Sequence, residues 1–206
     1  VDLSHRDLSG IVLEDVIMSR ANLEGTRLTQ STLIRVDLTG ARLAAADLSG
    51  ARLDGVIMSA AVSVRTTLAE AVLQNCSLSE ADLSGANLAG MVADDVDFTV
   101  SRAVGASFVR ASFQGCKLTG LDLTEADLTR FLAGGADFSG VVFNKMNMTK
   151  CFLMKAKLEK QRFPGCNLLL TRFDEAALRE ADFSGQDLTQ TGFAGADLTA
   201  ARFTGS

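Results

Sequence analysis

Large apolar residues recur at every fifth position of the chain, from Leu3 to Phe203, and this register never shifts. Of the 41 positions, which we call centres, 24 hold Leu, 10 hold Phe and 3 hold Met. The position two before each centre is mostly small or apolar, and the position two after it holds 16 of the 18 glycines. A single rule therefore assigns inward and outward positions along the whole chain.

A period of five residues fits neither an α-helix nor a long strand. On a helix with 3.6 residues per turn, successive centres would spread around the axis. On an extended strand they would alternate between the two faces. The glycine slot indicates a third arrangement, because glycine tolerates the positive φ that many tight turns require. The pattern predicts a chain that turns a corner at regular intervals.

The consensus Ala-(Asp/Asn)-Leu-(Ser/Thr)-Gly, which residues 46–50 and 81–90 show clearly, resembles the pentapeptide-repeat family over the whole chain. The resemblance implies an all-β fold, a right-handed four-sided parallel β-helix (solenoid) of about ten coils with four pentapeptides each. It also implies that the centre and the residue two before it point inward. We expect residues 1–206 to form a single domain. Because the chain starts at Val1 and stops within a repeat at Ser206, we expect it to be a fragment of a longer protein.

The unbroken register assigns every pentapeptide to one of four faces, which we number one to four by their first centres: Leu3, Leu8, Leu13 and Met18. On face three two centres shrink to Ala93 and Ala133, and in both units the inward residue two before has grown, to Met91 and Phe131. A close-packed core requires such a compensation of volume. The small centre Ala103, on face one, has no compensation that the sequence reveals.

Polar and sulfur-containing side chains also occupy inward slots. Gln161 and Gln186 should hydrogen-bond to the backbone, or the coil should open locally, because burial without a partner is costly. The cysteines all occupy inward slots as well: Cys76, Cys116, Cys151 and Cys166. Those on a common face lie two coils apart, roughly 10 Å by inter-strand spacing, which exceeds disulfide reach. We expect four reduced, buried and inert thiols, as suits a reducing compartment.

Charge and hydropathy exclude several classes of function. The net charge of −5 argues against direct binding of nucleic acid, since phosphate neutralisation supplies most of the affinity of such binders. No apolar run approaches the ~18 residues that a bilayer span requires, and no signal peptide is visible. We expect a protein of the reducing cytoplasm, or one that a secretion system delivers from there.

Catalytic chemistry has no clear carrier in this sequence. The only histidine, His5, lies at a corner with no nucleophile and orienting partner that the pattern would hold beside it. The Asp residues before the centres belong to the consensus and should lie on a solvated surface. There is no phosphate loop, metal-ligand cluster or credible triad, and a loop-free β-helix lacks an obvious concave pocket. We therefore expect no enzyme, no catalytic residue, no metal and no cofactor.

An apolar stripe on face three is the main candidate for a partner surface. The outward slot before each centre should be polar, but on this face several members are apolar, and an exposed aromatic at the end of such a stripe is typical of a binding anchor. A β surface also tolerates isolated Val and Leu. The predicted surface, for a protein partner or for self-association, consists of Val72, Val92, Leu132, Phe152 and, just after the centre in the same coil, Met154. Exposed coil ends offer a second route to self-association.

Lysine is concentrated in one coil. Five of the six lysines lie within residues 145–160: Lys145, Lys150, Lys155, Lys157 and Lys160. Four of them occupy consecutive corner slots, so that they should form a basic belt around the rod. The belt is interpreted either as a solubilising girdle or as a docking site for an acidic partner.

Two classes of function remain. The first is a non-enzymatic rigid scaffold or protein-interaction module, since repeat solenoids commonly work in this way; similar arrays are appended to larger bacterial proteins, including secreted effectors and type VI secretion accessory proteins. The alternative comes from a branch of the same family that mimics duplex DNA and binds DNA gyrase, giving fluoroquinolone resistance. A mimic should be acidic along its whole length, whereas here the lysine belt interrupts an only mildly acidic rod.

Overall fold

The computed structural model describes all residues, 1–206, as a β-solenoid without helices. Nearly every residue before a centre pairs in parallel with the residue twenty positions later, as in the series Asp2, Asn22 and Arg42. A step of twenty residues means that four pentapeptides complete one coil. The predicted all-β parallel solenoid is confirmed, and no helix is long and apolar enough to cross a membrane.

Regular strands form on face three only. Six parallel strands follow one another in chain order: β1 (Val12–Glu14), β2 (Thr32–Ile34), β3 (Arg52–Asp54), β4 (Val72–Gln74), β5 (Val92–Asp94) and β6 (Ser112–Gln114). Centre pairs with centre, for example Leu13 with Leu33. Parallel strands need long crossover connections, and here the other three sides of each coil provide them.

We expected about ten coils, and this count is wrong for the regular sheet. Its six strands come from six successive coils, which are joined by five coil-to-coil steps. Beyond β6 the pairing on face three continues as isolated parallel bridges, such as Leu132 with Phe152. The reason is a tighter corner: the Ala136 N–H donates to the carbonyl of Ala133 at 3.3 Å, which closes a turn directly after the centre. The corners that follow β1 to β6 lack this bond, so their extended stretches run further.

One continuous core of 59 residues fills the inside of the solenoid. It contains centres and the residues two before them, as the sequence predicted. The two exchanges on face three are both accommodated: Met91 and Ala93 are buried, and so are Phe131 and Ala133. Large and small inward residues thus trade places along one unit while the core stays filled.

Phenylalanine rings that flank the small centre Ala103 in the sequence pack together in the core. The Phe98 ring stacks on Phe113 with centroids 4.9 Å apart, and Phe108 meets Phe113 edge-on at 5.7 Å. These rings come from three neighbouring faces and meet inside the coil. Such stacked and edge-on arrangements are the favourable geometries for aromatic pairs.

Several inward polar side chains bond to the backbone of the preceding coil, whereas the buried hydroxyls of Ser31 and Ser63 have no partner. The Thr66 hydroxyl donates to the Leu43 carbonyl at 2.6 Å, and the Gln161 amide donates to the Phe138 carbonyl at 2.9 Å. The coil also opens at this point, because no bridge joins Val142 to Arg162 on face one. Both outcomes foreseen for Gln161 therefore occur together.

Candidate partner surface

The outward Asp residues hold the corners of the solenoid rather than a reaction centre. The Asp7 carboxylate, for example, accepts hydrogen bonds from the hydroxyl and the N–H of Ser9 at 2.6 and 3.0 Å. Bonds of this kind from the Ser or Thr two residues on lower the pKa of six carboxyl groups: Asp2, Asp7, Asp137, Asp182, Asp187 and Asp197. No three acidic, Cys or His side chains converge as a metal-ligand group. These carboxylates thus have a structural use in the turns.

All four cysteines are free and buried. Burial raises the pKa of Cys76 and of Cys116 to about 11, and it raises the pKa of Cys151 further still. Since the thiolate is the reactive form, these thiols are poor nucleophiles in the folded protein.

This burial predicts the thiol reactivity. At about pH 8 the folded protein should release almost no colour from the thiol reagent DTNB over an hour, and guanidinium unfolding should make all four thiols react. Rapid reaction of one or more thiols before unfolding would contradict the inward placement of that cysteine.

The apolar stripe lies on one ladder of face three. Val72 pairs with Val92, Val92 with Ser112, Ser112 with Leu132, and Leu132 with Phe152. Val92, Leu132 and Phe152 are 45%, 44% and 41% exposed, whereas Val72 is half-buried. The polar Ser112 separates two apolar parts, so the strongest part of the stripe is the pair Leu132 and Phe152.

Met154 is 41% exposed and lies in the turn that follows Phe152 and the centre Leu153. It is placed on the far side of face three, towards the corner that carries Lys155. Leu132 and Phe152 instead border a shallow groove on the opposite side of the face. The structure therefore divides the predicted surface between a groove and a separate exposed methionine.

The groove has a volume of about 440 Å³ and runs along the corner between faces two and three. Its lining combines apolar and cationic side chains: Arg130, Leu132, Lys150, Phe152, Leu170, Arg172 and Gln190. Sequence reasoning missed Leu170, which occupies a corner slot usually filled by glycine or a polar residue. The signal was available, because residues 130, 150, 170 and 190 are spaced by one coil.

The lysine belt is partly neutralised by acids of the adjacent coils. Lys155 lies 3.5 Å from Glu175, Lys157 lies 3.3 Å from Asp137, and Lys160 lies 4.0 Å from Glu180. No ion pair involves the other two lysines of the belt, Lys145 and Lys150. The free positive charge of this region is therefore concentrated at two corners instead of being spread around the coil.

Arg172 forms one end of the groove. Its guanidinium lies 2.6 Å from the largely buried Asp174 carboxylate, which also accepts the Ala194 N–H at 3.0 Å. The side chain lies across Gly192, where a Cβ would overlap the guanidinium. Glycine at this outward slot thus leaves room for Arg172 against the rod, and Asp174 holds it there.

The family model described as pentapeptide repeats matches the chain in eight copies, over residues 1–33, 21–59, 64–99, 94–130, 153–190 and 166–205. The matches leave out residues 60–63 and 131–152. The second gap contains Phe131, Leu132 and Phe152. No curated protein matches the chain significantly.

The solved structures that resemble this chain include pentapeptide repeat proteins and a fluoroquinolone resistance protein, and they superpose on it poorly. HetL, involved in heterocyst differentiation regulation in the cyanobacterium Nostoc sp. strain PCC 7120, is 25% identical, with 96% of this chain and 87% of HetL covered and a TM-score of 0.33. QnrB1, a plasmid-mediated fluoroquinolone resistance protein, is 22% identical over 96% and 86%, with a TM-score of 0.35. A thylakoid-lumen pentapeptide repeat protein of Arabidopsis thaliana is 27% identical over 60% and 68%, with a TM-score of 0.25.

These TM-scores are too low to carry a functional argument, and the assignment depends on the family model and the coil geometry. The matched segments cover well over half of the chain. The five-residue repeat of the family model equals the spacing of the buried centres and of the positive-φ corners in this structure. The chain belongs to the pentapeptide-repeat family.

Proposed function

We propose that this chain is a non-enzymatic scaffold that captures a protein partner on face three. The observation that carries the proposal is the exposed pair Leu132 and Phe152, 44% and 41% exposed, beside a groove on an otherwise regular rod. Interface anchors are typically large apolar side chains that lie in or beside a pocket. Val92 and Met154 are further exposed apolar side chains on this face, apart from the groove.

The rod suits this role because its backbone does not depend on the outward side chains. The Phe152 N–H donates to the Phe131 carbonyl at 2.9 Å, and the Leu132 N–H donates to Ala111 at 2.9 Å. Outward side chains can therefore vary while the coil stays intact, and they remain available for contact. Such a rod also suits a module within a larger bacterial effector or type VI secretion accessory protein.

Mimicry of DNA at gyrase has less support. A mimic needs an uninterrupted acidic surface, whereas the acids near the lysine belt are paired with cations, as in Lys155 with Glu175. Fluoroquinolone resistance is a property of QnrB1, whose likeness to this chain carries no functional argument. An interaction scaffold is therefore the better supported of the two functions.

The scaffold proposal is tested with a photo-cross-linking amino acid at position 152 and, as control, at the outward position 62 on face one. Cross-linked partners are identified by mass spectrometry and then purified for calorimetry. The double variant Phe152→Ser, Leu132→Ser should bind at least about tenfold more weakly, since losses of over 1 kcal/mol are typical of anchors. The protein should stay folded, because both side chains point outward.

The matched control is the double variant Ile57→Ser, Val62→Ser, which removes two outward apolar side chains that are each 44% exposed on other faces. It should bind within about twofold of the parent. Sedimentation velocity measures self-association of the same proteins. A folded face-three variant that binds and associates like the parent would refute the proposal.

A further inference from the structure

Three cations stack on the corner between faces two and three. Arg110, Arg130 and Lys150 follow one another at intervals of one coil, roughly 4.8 Å by inter-strand spacing. All three are exposed, with positive φ values of 60°, 61° and 59°. Their N–H groups donate to carbonyls of the next coil at 2.9, 3.0 and 3.0 Å, so the backbone fixes the spacing of this cation column.

No acidic side chain neutralises the cation column. None of its members forms an ion pair, although eleven pairs occur elsewhere on the rod. Along this corner the column is bounded on one side by Gly90, over which the Glu70 carboxylate lies without forming an ion pair with Arg110, and on the other by Leu170 and Gln190. Since like charges at this spacing repel, the column is a site where an external anion would be favourable.

A second groove of similar volume shows the contrast. It lies near the C-terminal end between Lys160, Glu180 and neighbouring residues, and two of its three cations are paired with acids, the exception being Arg202. Arg162 lies 3.4 Å from Asp182, and Lys160 lies 4.0 Å from Glu180. The second groove therefore contains one unpaired cation, whereas the cation column places three in succession without an ion pair.

The apolar wall of the groove adjoins the cation column directly. Leu132, Phe152 and Leu170 line it together with Arg130 and Lys150. Leu170 has a φ of 61°, a backbone conformation that is unfavourable for residues other than glycine. Among the positive-φ residues, only Leu170 and Val100 carry an apolar side chain larger than alanine. A leucine in this position costs conformational strain and adds apolar surface beside the cations.

We propose that this groove binds an acidic, extended segment of a partner protein that carries an apolar anchor. Its carboxylates would lie along Arg110, Arg130 and Lys150, and its anchor would cover Leu132, Phe152 and Leu170. This inference depends on the proposed function of face three and names the chemistry of its partner. Apolar surface beside unpaired cations suits such a peptide better than a phosphate backbone, which would gain nothing from the leucines.

The probes are three fluorescein-labelled ten-residue peptides: one with Asp and Glu around a Leu-Phe pair, one with Lys in place of the acids, and one with Ala in place of Leu-Phe. Fluorescence anisotropy with the full chain should show saturable binding of the first peptide. The other two should bind at least about tenfold more weakly, and raising NaCl from 50 to 500 mM should weaken the first. No binding of the first peptide at about 1 mM protein would overturn the proposal.

The variant Arg130→Glu, Lys150→Glu should weaken binding of the acidic peptide at least about tenfold. Glutamate already occupies positive-φ corners, for example at Glu70, so the backbone should be retained. The matched control, Arg20→Glu, Arg65→Glu, makes the same change in net charge at two unpaired corner arginines and should leave binding within about twofold of the parent.

The outcomes separate this inference from the scaffold proposal. If Phe152→Ser, Leu132→Ser abolishes capture of the cross-linked partner while Arg130→Glu, Lys150→Glu leaves it unchanged, the acidic segment is refuted and the scaffold stands. If neither variant affects capture, both proposals fail. A duplex oligonucleotide that displaces the peptide and binds with the same dependence on Arg130 and Lys150 would overturn the peptide in favour of nucleic acid.

Discussion

Replacing Leu83 with Asp should destabilise the protein by several kcal/mol and disrupt the coils on either side. The Leu83 side chain has no exposed surface, and its N–H donates to the Arg102 carbonyl at 2.6 Å, so the backbone cannot move aside easily. A carboxylate at this position would be surrounded by apolar side chains without a partner, which is among the costliest single changes. Guanidinium denaturation followed by circular dichroism measures the loss.

The control is Asp82→Asn, one residue away and outward. The Asp82 carboxylate accepts the Ser84 N–H at 3.0 Å, and an amide oxygen can replace it, as Asn87 does for the Ala89 N–H at 3.1 Å. The cost should stay under about 0.5 kcal/mol. If both variants unfolded at the same denaturant concentration, the inward and outward assignment of this unit would be wrong.

Replacing Phe131 with Ala should cost about 3–5 kcal/mol, the range for removing a buried ring. Phe131 is 2% exposed and meets Phe113 edge-on at a centroid distance of 4.9 Å, with Phe108 at 6.1 Å. The neighbouring centre, Ala133, is too small to fill the cavity that this change leaves. The same denaturation experiment measures the effect.

The double variant Phe131→Ala, Ala133→Leu restores the family consensus in this unit and should recover most of the lost stability. Ala133→Leu alone should instead destabilise by about 1–3 kcal/mol, because Phe131 already occupies the space. The two changes should therefore be strongly non-additive, as expected for residues that share one cavity. Additive losses in the double variant would show that the exchange of volumes on face three does not operate.

The amino-acid sequence by itself determined the register, the inward slots and the exchange between Phe131 and Ala133. These follow from a period of five residues, which acts within one unit and repeats without interruption. The buried state of the cysteines and the outward position of Phe152 follow from the same rule. The period of five residues predicted regular corners, whereas the four-sided β-solenoid was implied by the resemblance to the pentapeptide-repeat family.

Only the tertiary structure decided which charges are neutralised and where a groove forms. It paired Lys155 with Glu175 but left Arg130 and Lys150 unpaired, and it placed Leu170 beside Phe152. The sequence pattern assigns every outward slot to the surface but does not say which outward side chains contact one another. Contacts between outward side chains depend on residues twenty or more positions apart and on the directions in which long side chains extend, neither of which a five-residue rule specifies.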